Sequence, residues 1–449
     1  RMKWVWAELG ESPLAQAAFH LGAMAGQVKS GLPGQDWAHL AEAYAKDGWL
    51  VDTSAWRTMA RLRESVDIAA VTIAIRAVYL PWLEQLADRI SGLSGSYPSA
   101  TPLEAWALDP EPGTMVLFVD GLRMDLGNEL RLLLEREGFS TALEPRWAAM
   151  PTVTATAKPA WAPLTEQLNG DKVSEGFEPT LTATSKPLKT AEFRKLLNEV
   201  GLKWTEPGSP GNASHAGWTE AGSFDSHGHS EGANLARHID DELHVTVQRI
   251  RDLLKSGWKT IRVVTDHGWL LMPGGLPKVD LPKHLTVSKW GRCALPEPGA
   301  NHGFRETPWF WGGQHSVVLA PGISVFMNGV EYAHGGLTLQ EAVTPVLTVT
   351  AGKASSAASV KIASIRWVNL RVHVELAGNW SGVTVDIRTK AADGSTSLLP
   401  TDAPPKSTDD GGKASLAIED PDRMGEGAHI VVLREGQVIA KQTVTIGGD

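Results

Sequence analysis

The chain of 449 residues contains a single cysteine, Cys293. One thiol excludes an intramolecular disulfide, suits a reducing cytoplasm, and is expected to serve as a small buried apolar side chain. The sequence also lacks a Cys-x-x-Cys pair and the Gly-x4-Gly-Lys-Ser/Thr phosphate loop. These absences argue against a zinc ribbon and against a P-loop nucleoside triphosphatase.

Long hydrophobic runs are also scarce. The apolar stretch 68–80 contains Arg76 and is ended by Pro81, so we expect a core helix that is too short to span a bilayer. The sequence has no segment that resembles a signal peptide. We therefore expect a cytoplasmic chain with no membrane partner, and the first residue, Arg1, suggests a fragment of a longer protein.

An excess of positive charge is missing too, since the formal net charge is −9. A chain with this balance lacks the basic face that holds nucleic acid through a surface field alone. One loop is an exception, with five basic side chains opposed only by Asp280: Lys278, Lys283, His284, Lys289 and Arg292. Such a loop either steers an anionic substrate or is a merely solvated segment.

Carboxylates follow two apolar runs of the kind that buried parallel strands show. Asp266, with His267 and Gly268 after it, ends the run 261–265, and Asp120 ends the run 114–119. In open α/β sheets, binding sites form at the carboxyl ends of the strands. An isolated Asp-His pair is more often an N-cap or a turn, so a functional interpretation needs partners elsewhere in the chain.

Such partners occur in two further segments. Asp225 and His229 lie four residues apart, just before a helical pattern over 234–254, and either a loop or one helical turn would bring both to one ion. His334 precedes a short amphipathic stretch that gives way to the strand-like run 346–349. Carboxylate oxygens and imidazole nitrogens are usual donors for Zn²⁺ and Mn²⁺, so the pattern predicts a metal site.

A nucleophile is available on the segment that follows Pro151. Thr152, Thr154 and Thr156 alternate along the chain ahead of a predicted short helix that runs through 161–164. A hydroxyl near a helix N-terminus meets the positive end of the dipole and free backbone N–H groups, which favours an alkoxide and a bound phosphate. The alternative is a threonine-rich turn with an N-cap function.

The sequence texture divides the chain into three regions. Residues 1–100 have apolar residues at helical spacing, with helices predicted over 41–46, 55–63 and 69–90. Residues 101–352 alternate strand-like and helical segments, which predicts an α/β domain with a mostly parallel sheet sandwiched by helices. Residues 358–449 are short alternating runs separated by turns, which predicts an antiparallel, immunoglobulin-like β-sandwich.

The order of these motifs resembles that of the alkaline-phosphatase superfamily, which includes nucleotide pyrophosphatase/phosphodiesterases. The segment 151–154, Pro-Thr-Val-Thr, looks like the Pro-Thr-x-Thr of the phosphodiesterase branch, so Thr154 is preferred over Thr152 as the nucleophile. Within the superfamily, the segments 119–125, 225–229, 266–269 and 332–337 most resemble the PglZ domain of bacterial BREX phage-defence systems. The resemblance covers roughly 110–350.

Carried over residue by residue, the resemblance implies two divalent cations, with Zn²⁺ as the first choice and Mn²⁺ or Mg²⁺ as alternatives. Two ligand sets follow: Asp225, His229 and His334 for one cation, and Asp120, Asp266, His267 and Thr154 for the other. Thr154 would attack phosphorus, and water would hydrolyse the phosphothreonine. The chain departs from the phosphodiesterases after Thr154, where it reads Ala-Thr-Ala-Lys instead of Phe-Pro-Asn-His; Lys158 could meet a phosphate there.

The implied partners are a phosphate ester, with nucleotides and nucleic acid among the candidates, and other defence-system proteins. Three functions stay open at this point: a phosphodiesterase or nuclease, a phosphomonoesterase, and a non-catalytic scaffold subunit. His227 is a candidate substrate contact, and His302 and His315 are candidates to line the site. Arg123 and Asp125 are candidates to brace Asp120.

Overall fold

The computed structural model describes residues 12–93, 97–98, 111–351, 360–378, 380, 382–400, 404–409, 411–434 and 436–448. These residues form two compact units. The first holds the described residues within Arg1–Arg131 and Thr141–Thr350, and the second holds those within Leu132–Ser140 and Ala351–Asp449. The expected domain boundaries near 100 and at 352–358 lie outside the described residues.

Helices make up the described chain up to residue 93: α1 (Pro13–Ser30), α2 (Trp37–Ala43), a π-helical turn (Tyr44–Gly48), α3 (Trp49–Ala60) and α4 (Ser65–Gly92). The helical character of this region is therefore as predicted. The pattern did not reveal α1, because only Ala17 and Met24 of that helix are buried and its apolar periodicity is weak.

Helix α4 contains the predicted range 69–90, but it is less buried than the expected core helix. It continues through Pro81 to Gly92, and one face, with Val71, Ile75 and Tyr79, is buried. Ile73 on the other side is 71% exposed. By length and composition alone, α4 is the one helix among the described residues that could cross a membrane, which is weak evidence, and 28% of its most apolar window is buried.

The elements between residues 111 and 351 are, in chain order, β1 (Thr114–Val119), α5 (Met124–Arg136), β2 (Ser140–Trp147), α6 (Thr154–Ala157), β3 (Leu168–Asn169), β4 (Thr180–Leu181), α7 (Thr190–Glu199), β5 (Leu202–Trp204), β6 (Ala216–Ala221), α8 (Phe224–Glu231), α9 (Ile239–Lys255), β7 (Thr260–Val264), β8 (Leu270–Leu271), β9 (Thr286–Lys289), β10 (Cys293–Pro296), β11 (Glu306–Pro308), β12 (Ser316–Leu319), β13 (Tyr332–Ala333), α10 (Leu339–Ala342) and β14 (Val343–Thr350). Short 3₁₀ turns occur at Pro159–Trp161, Gly232–Arg237 and Lys283–Leu285.

A six-stranded sheet, in the order β2-β14-β7-β1-β6-β5, is the centre of the first unit. Strands β5, β6, β1 and β7 run parallel, and β14 is antiparallel to β7. Consecutive residues of β1 from Met115 to Val119 are all buried, so both faces of this strand are covered. The prediction of an α/β fold with a mostly parallel sheet is confirmed.

The second unit contains the strands β15 (Lys361–Val368), β16 (Arg371–Ala377), β17 (Val383–Arg388), β18 (Lys406–Ser407), β19 (Lys413–Ala417), β20 (Gly427–Arg434) and β21 (Gln437–Thr445). They form two antiparallel sheets, β15-β16-β19 and β18-β17-β20-β21. Val374 and Leu416 from the first sheet share one apolar cluster with Ile387 and Ile430 from the second. The predicted antiparallel C-terminal region is therefore observed.

Candidate metal centre and nucleophile

Three adjacent parallel strands deliver carboxylates to one edge of the central sheet. In β1, Val119 is in register with Ala221 of β6, and Phe118 is in register with Val264 of β7. Asp120 follows β1 directly, Asp266 lies two residues beyond β7, and Asp225 is in the first turn of α8, which follows β6. The sheet thus brings together three acidic residues that are far apart in sequence.

Helix α8 brings His229 beside Asp225, which selects the helical turn over the loop. His229 Nε2 lies 3.5 Å from Asp225 Oδ1, and His334 Nε2 lies 3.3 Å from the same oxygen. The two Nε2 atoms are 3.0 Å apart. One ligand atom from each of the three residues falls within 4.8 Å of the others, which suits a single cation.

A second convergence surrounds His267. Its Nε2 lies 3.4 Å from Asp266 Oδ2, 3.8 Å from Asp120 Oδ1 and 3.2 Å from the hydroxyl of Thr154. Asp120, Asp225 and His267 also place ligand atoms within 4.8 Å of one another. Asp225 therefore lies within reach of both groups of donors, whereas the resemblance implied that it binds only the cation shared with His229 and His334.

Two buried carboxylate oxygens in this centre are suited to bind a cation. Asp120 Oδ1 and Asp266 Oδ2 are inaccessible to solvent and accept no hydrogen bond. An unsatisfied buried anionic oxygen is costly, and coordination to a cation would remove that cost. The residues present therefore fit the two-cation centre that the motifs imply.

The histidine tautomers fit the same interpretation. His267 Nδ1 is 3.1 Å from the carbonyl of Gly268, and His334 Nδ1 is 3.0 Å from the carbonyl of Thr152. A carbonyl only accepts, so each Nδ1 donates and each Nε2 is left with a free lone pair toward the centre. The two rings stack with centroids 3.7 Å apart.

Charges within the centre shift several pKa values. Burial, together with the carboxylates of Asp266 and Asp225, raises the pKa of Asp120 well above its usual value. Burial opposes ionisation of Asp225 as well, but the adjacent His267, His334 and His229 lower its pKa overall. Burial and His267 lower the pKa of His334 to about 4, so this imidazole is neutral near pH 7, as a metal ligand must be.

Of the three alternating threonines, only Thr154 directs its hydroxyl into this centre. Thr152 Oγ1 donates to the carbonyl of Gly336 and accepts from the N–H of Gly335. Thr156 Oγ1 donates to the carbonyl of Phe177. Thr154 begins the helical turn α6, which is shorter than the predicted helix.

A buried ion pair that the sequence did not reveal supports the segment after His334. Arg292 is 0% exposed and donates to both carboxylate oxygens of Glu341, at 3.0 and 2.8 Å. Glu341 also accepts from the N–H of Gly336, at 2.8 Å. Arg292 is thus not part of an exposed basic loop, and that part of the expectation is wrong because its charge is paired inside the unit. Lys278, for its part, pairs with Asp280 at 2.7 Å.

The predicted bracing of Asp120 by Arg123 and Asp125 is indirect. Arg123 pairs with Asp125 at 2.6 Å and stacks on the indole of Trp269 with its guanidinium carbon 3.7 Å from the ring centroid. Trp269 Nε1 donates to the carbonyl of Gly121 at 2.8 Å. The network therefore holds the backbone beside Asp120, while the Asp266 carboxylate accepts from the N–H groups of Gly121 and His267 through Oδ1.

Tyr332 is a further contact, to which the sequence analysis gave no role although it begins the segment 332–337. Its hydroxyl donates to Asp225 Oδ1 at 2.8 Å. Gly228 explains why this ring fits, because a Cβ at that position would lie 2.3 Å from the Tyr332 ring. The signal in the sequence was the glycine between His227 and His229.

Several candidate residues lie outside the centre. Lys158 pairs with Glu220 at 2.7 Å, which accounts for its charge without a phosphate. His302 contacts Glu306, His315 contacts a backbone carbonyl, and His227 contacts glutamates on the outer side of α8. None of these three histidines belongs to the donor groups around Asp225 and His267. The predictions that His227 contacts substrate and that His302 and His315 line the site stay predictions.

A cavity of about 450 Å³ opens beside the Asp225 group. His229, His334 and Tyr332 line one side, and Trp290 and Met327 contribute exposed apolar surface. Another cavity, of about 780 Å³, lies among the N-terminal helices and contains none of the candidate site residues. Of these two cavities, the one of about 450 Å³ adjoins the candidate centre.

No family model and no curated protein matches this sequence. Similar solved structures include an inactive variant of murine ectonucleotide pyrophosphatase/phosphodiesterase 5 in complex with AMP, which is 11% identical, with 54% of this chain and 88% of that chain covered at a TM-score of 0.37. Phosphonoacetate hydrolase from Sinorhizobium meliloti, in complex with phosphonoacetate, is 9% identical to this chain. The match covers 52% of this chain and 89% of the hydrolase, with a TM-score of 0.33. These values are too low to assign a family or an activity.

Proposed function

We propose that this chain is a metal-dependent phosphohydrolase that acts on phosphodiesters through Thr154. The observation that supports it most directly is the meeting of the Thr154 hydroxyl with His267 Nε2 and the unpartnered buried oxygens of Asp120 and Asp266. A nucleophile and a set of hard and borderline metal donors at the end of a parallel sheet form a phosphoryl-transfer site.

The proposed chemistry has two steps. When bound, two divalent cations would lower the pKa of the threonine hydroxyl and withdraw charge from the phosphoryl oxygens. Thr154 Oγ loses its proton and forms a bond to phosphorus as the bond to the leaving group breaks, and the leaving alkoxide takes up a proton to depart as the alcohol. Water then attacks the phosphothreonine and releases phosphate ester and the free hydroxyl. Asp225, His229 and His334 would hold one cation, and Asp120, Asp266 and His267 the other.

The cavity beside the Asp225 group supports a diester over a monoester. It offers about 450 Å³ next to His229 and His334, and its lining includes the exposed side chains of Trp290 and Met327. A monoester has no second substituent to fill such a space, whereas a diester does. A planar apolar group, including a nucleobase, would gain contact with the indole of Trp290.

The test compares bis(4-nitrophenyl) phosphate with 4-nitrophenyl phosphate, in Zn²⁺, Mn²⁺ and Mg²⁺. We expect faster turnover of the diester, because its second aryl group enters the cavity. Trp290→Ala should raise the KM for the diester and leave the monoester unchanged, and Trp204→Ala, outside the cavity, is the matched control. A preference for the monoester would instead make the chain a phosphomonoesterase.

The finer identity, a cytoplasmic PglZ-type protein of a BREX phage-defence system, stays a proposal supported by the sequence motifs at 119–125, 225–229, 266–269 and 332–337. It implies nucleotide or nucleic-acid substrates and other defence proteins as partners. A scaffold subunit without activity is the alternative, and it predicts that neither ester is hydrolysed under any of the three metals.

A further inference from the structure

A second group of histidines and glutamates lies on the other side of helix α8. His227 and Glu231 are one helical turn apart, and each is two residues from a member of the candidate centre. Two residues along an α-helix correspond to a rotation of about 200°. His227 and Glu231 therefore face away from Asp225 and His229.

His238 completes this group from the start of the next helix. Its Nε2 lies 2.9 Å from Glu231 Oε2, and His227 Nδ1 lies 3.2 Å from Glu231 Oε1. The two imidazole rings are parallel, with an interplanar angle of 1° and centroids 4.4 Å apart. One ligand atom from each of the three residues lies within 4.8 Å of the others.

Glu242 lies at the edge of the group, outside the set of three donors. Its Oε1 lies 3.3 Å from His227 Nε2, and its Oε2 accepts from the N–H of Ser223. The side chains of His227, Glu231 and His238 are 28%, 37% and 36% exposed, so an ion from solvent can reach them. Water can complete the coordination shell.

We propose that His227, Glu231 and His238 form a separate Zn²⁺ site on the outer side of α8. Two imidazoles and one carboxylate, with an open fourth position, are a donor set that zinc uses in proteins. The alternative is a network of solvent-exposed His–Glu ion pairs, which would contribute little to stability and bind no metal.

This site would join α8 to α9 across the 3₁₀ turn Gly232–Arg237. His227 and Glu231 belong to α8, and His238 is the residue before α9. A cation bound only by the folded chain stabilises it in proportion to its occupancy. The site therefore has a structural role: it holds the helix that carries Asp225 and His229, and it takes no part in bond breaking.

The experiment measures zinc per chain by elemental analysis after loading and dialysis, together with the rise in Tm on adding Zn²⁺. Glu231→Gln and His238→Gln should each lose about one zinc and part of the rise in Tm. The matched control is His244→Gln on α9, because His244 is exposed and contacts only a backbone carbonyl. It should keep the full zinc content.

Diester turnover separates this inference from the proposed function. Glu231→Gln and His238→Gln should retain turnover within about threefold, whereas Asp225→Ala should lose both zinc and turnover. Equal zinc content in the unmodified chain, Glu231→Gln, His238→Gln and His244→Gln would overturn the outer site. Full turnover by Asp225→Ala would overturn the proposed catalytic centre and leave the outer site to be judged by its own variants.

Discussion

At the scale of single residues, hydroxyl position distinguishes Thr154 from its neighbours. Thr152 is held by two backbone contacts near Gly335 and Gly336, and Thr156 by the carbonyl of Phe177. Thr154 instead lies 3.2 Å from His267 Nε2. The three side chains share one chemistry, and only their surroundings assign them different roles.

Thr154→Ala should reduce diester turnover by about a thousandfold or more, a barrier increase of at least ~4 kcal/mol, because the covalent step loses its nucleophile. Zinc content should stay near normal, since the hydroxyl is one donor among several. Thr154→Ser should keep part of the activity. Steady-state kinetics measures the diester turnover, and elemental analysis measures the zinc content. A loss of turnover of less than about tenfold in Thr154→Ala would exclude the covalent role.

Thr152→Ala is the control for this substitution. It removes the hydroxyl that bridges Gly335 and Gly336, so we expect a lower Tm and little change in kcat. Should Thr152→Ala be the inactive variant and Thr154→Ala the active one, the neighbouring hydroxyl would be the nucleophile.

The buried pair of Arg292 and Glu341 gives a second residue-scale prediction. Glu341→Gln should destabilise the chain by about 3–5 kcal/mol, because it leaves a buried guanidinium without its counter-charge. Urea denaturation measures the change. The control is Asp280→Asn, which breaks the exposed pair with Lys278 and should leave the free energy of unfolding nearly unchanged. Similar losses in the two variants would contradict the account.

At the scale of elements, the sequence predicted the strand ends well. The apolar runs before Asp120 and Asp266 were recognisable because strands covered on both faces are continuously hydrophobic. The sequence did not decide whether the segment from Asp225 to His229 is a loop or a helical turn, since it has little helical periodicity. The pairing of Arg292 with Glu341, 49 residues apart, and the contact of Tyr332 with Asp225, 107 residues apart, were not predicted, because no local pattern links the partners.

Helix α1 carries a titratable group that should affect stability in acid. Burial and the charges of Arg57 and Arg61 lower the pKa of His20 from 6.5 to about 4. The folded chain therefore binds fewer protons than the unfolded chain in this window, and stability falls as pH decreases from about 6.5 to about 4. His20→Gln should weaken this dependence, as measured by urea midpoints at several pH values.

His39 on α2 provides a control of opposite sign. Its hydrogen bond and ion pair with Asp36 raise its pKa, so its contribution is present at low pH and is lost as pH rises through the folded-state value. His39→Gln should remove that contribution and make the chain relatively less stable in acid. An unchanged pH dependence in His20→Gln would contradict the proposed role of His20.

At the scale of the whole molecule, we propose that the α/β region and the C-terminal β-sandwich are separate domains. Their described cores are distinct: Val374, Ile387 and Ile430 belong to a cluster confined to the second unit. The domain limits suggested by the sequence, 101–352 and 358–449, stay predictions; the two compact units divide between Thr350 and Ala351.

Two domains predict two transitions in calorimetry. Zn²⁺ should raise the temperature of one transition, since every proposed ligand lies in the first unit. Ile387→Ala should lower the temperature of the other transition, because the cavity it creates reduces the free energy of unfolding of the second unit by about 2–5 kcal/mol. The response to zinc should not change. A single transition whose temperature responds both to Zn²⁺ and to Ile387→Ala would contradict the proposal of independent domains.

The central claim is that the carboxylates and histidines at the end of the sheet hold the cations that allow Thr154 to attack a phosphodiester. The most direct measurement pairs zinc content with diester turnover for the unmodified chain, Asp225→Ala and Asp266→Ala. We expect each variant to lose zinc and to lose turnover together, because each removes donors from a buried set. Variants that hold as much zinc as the unmodified chain and turn over the diester at the same rate would contradict the account.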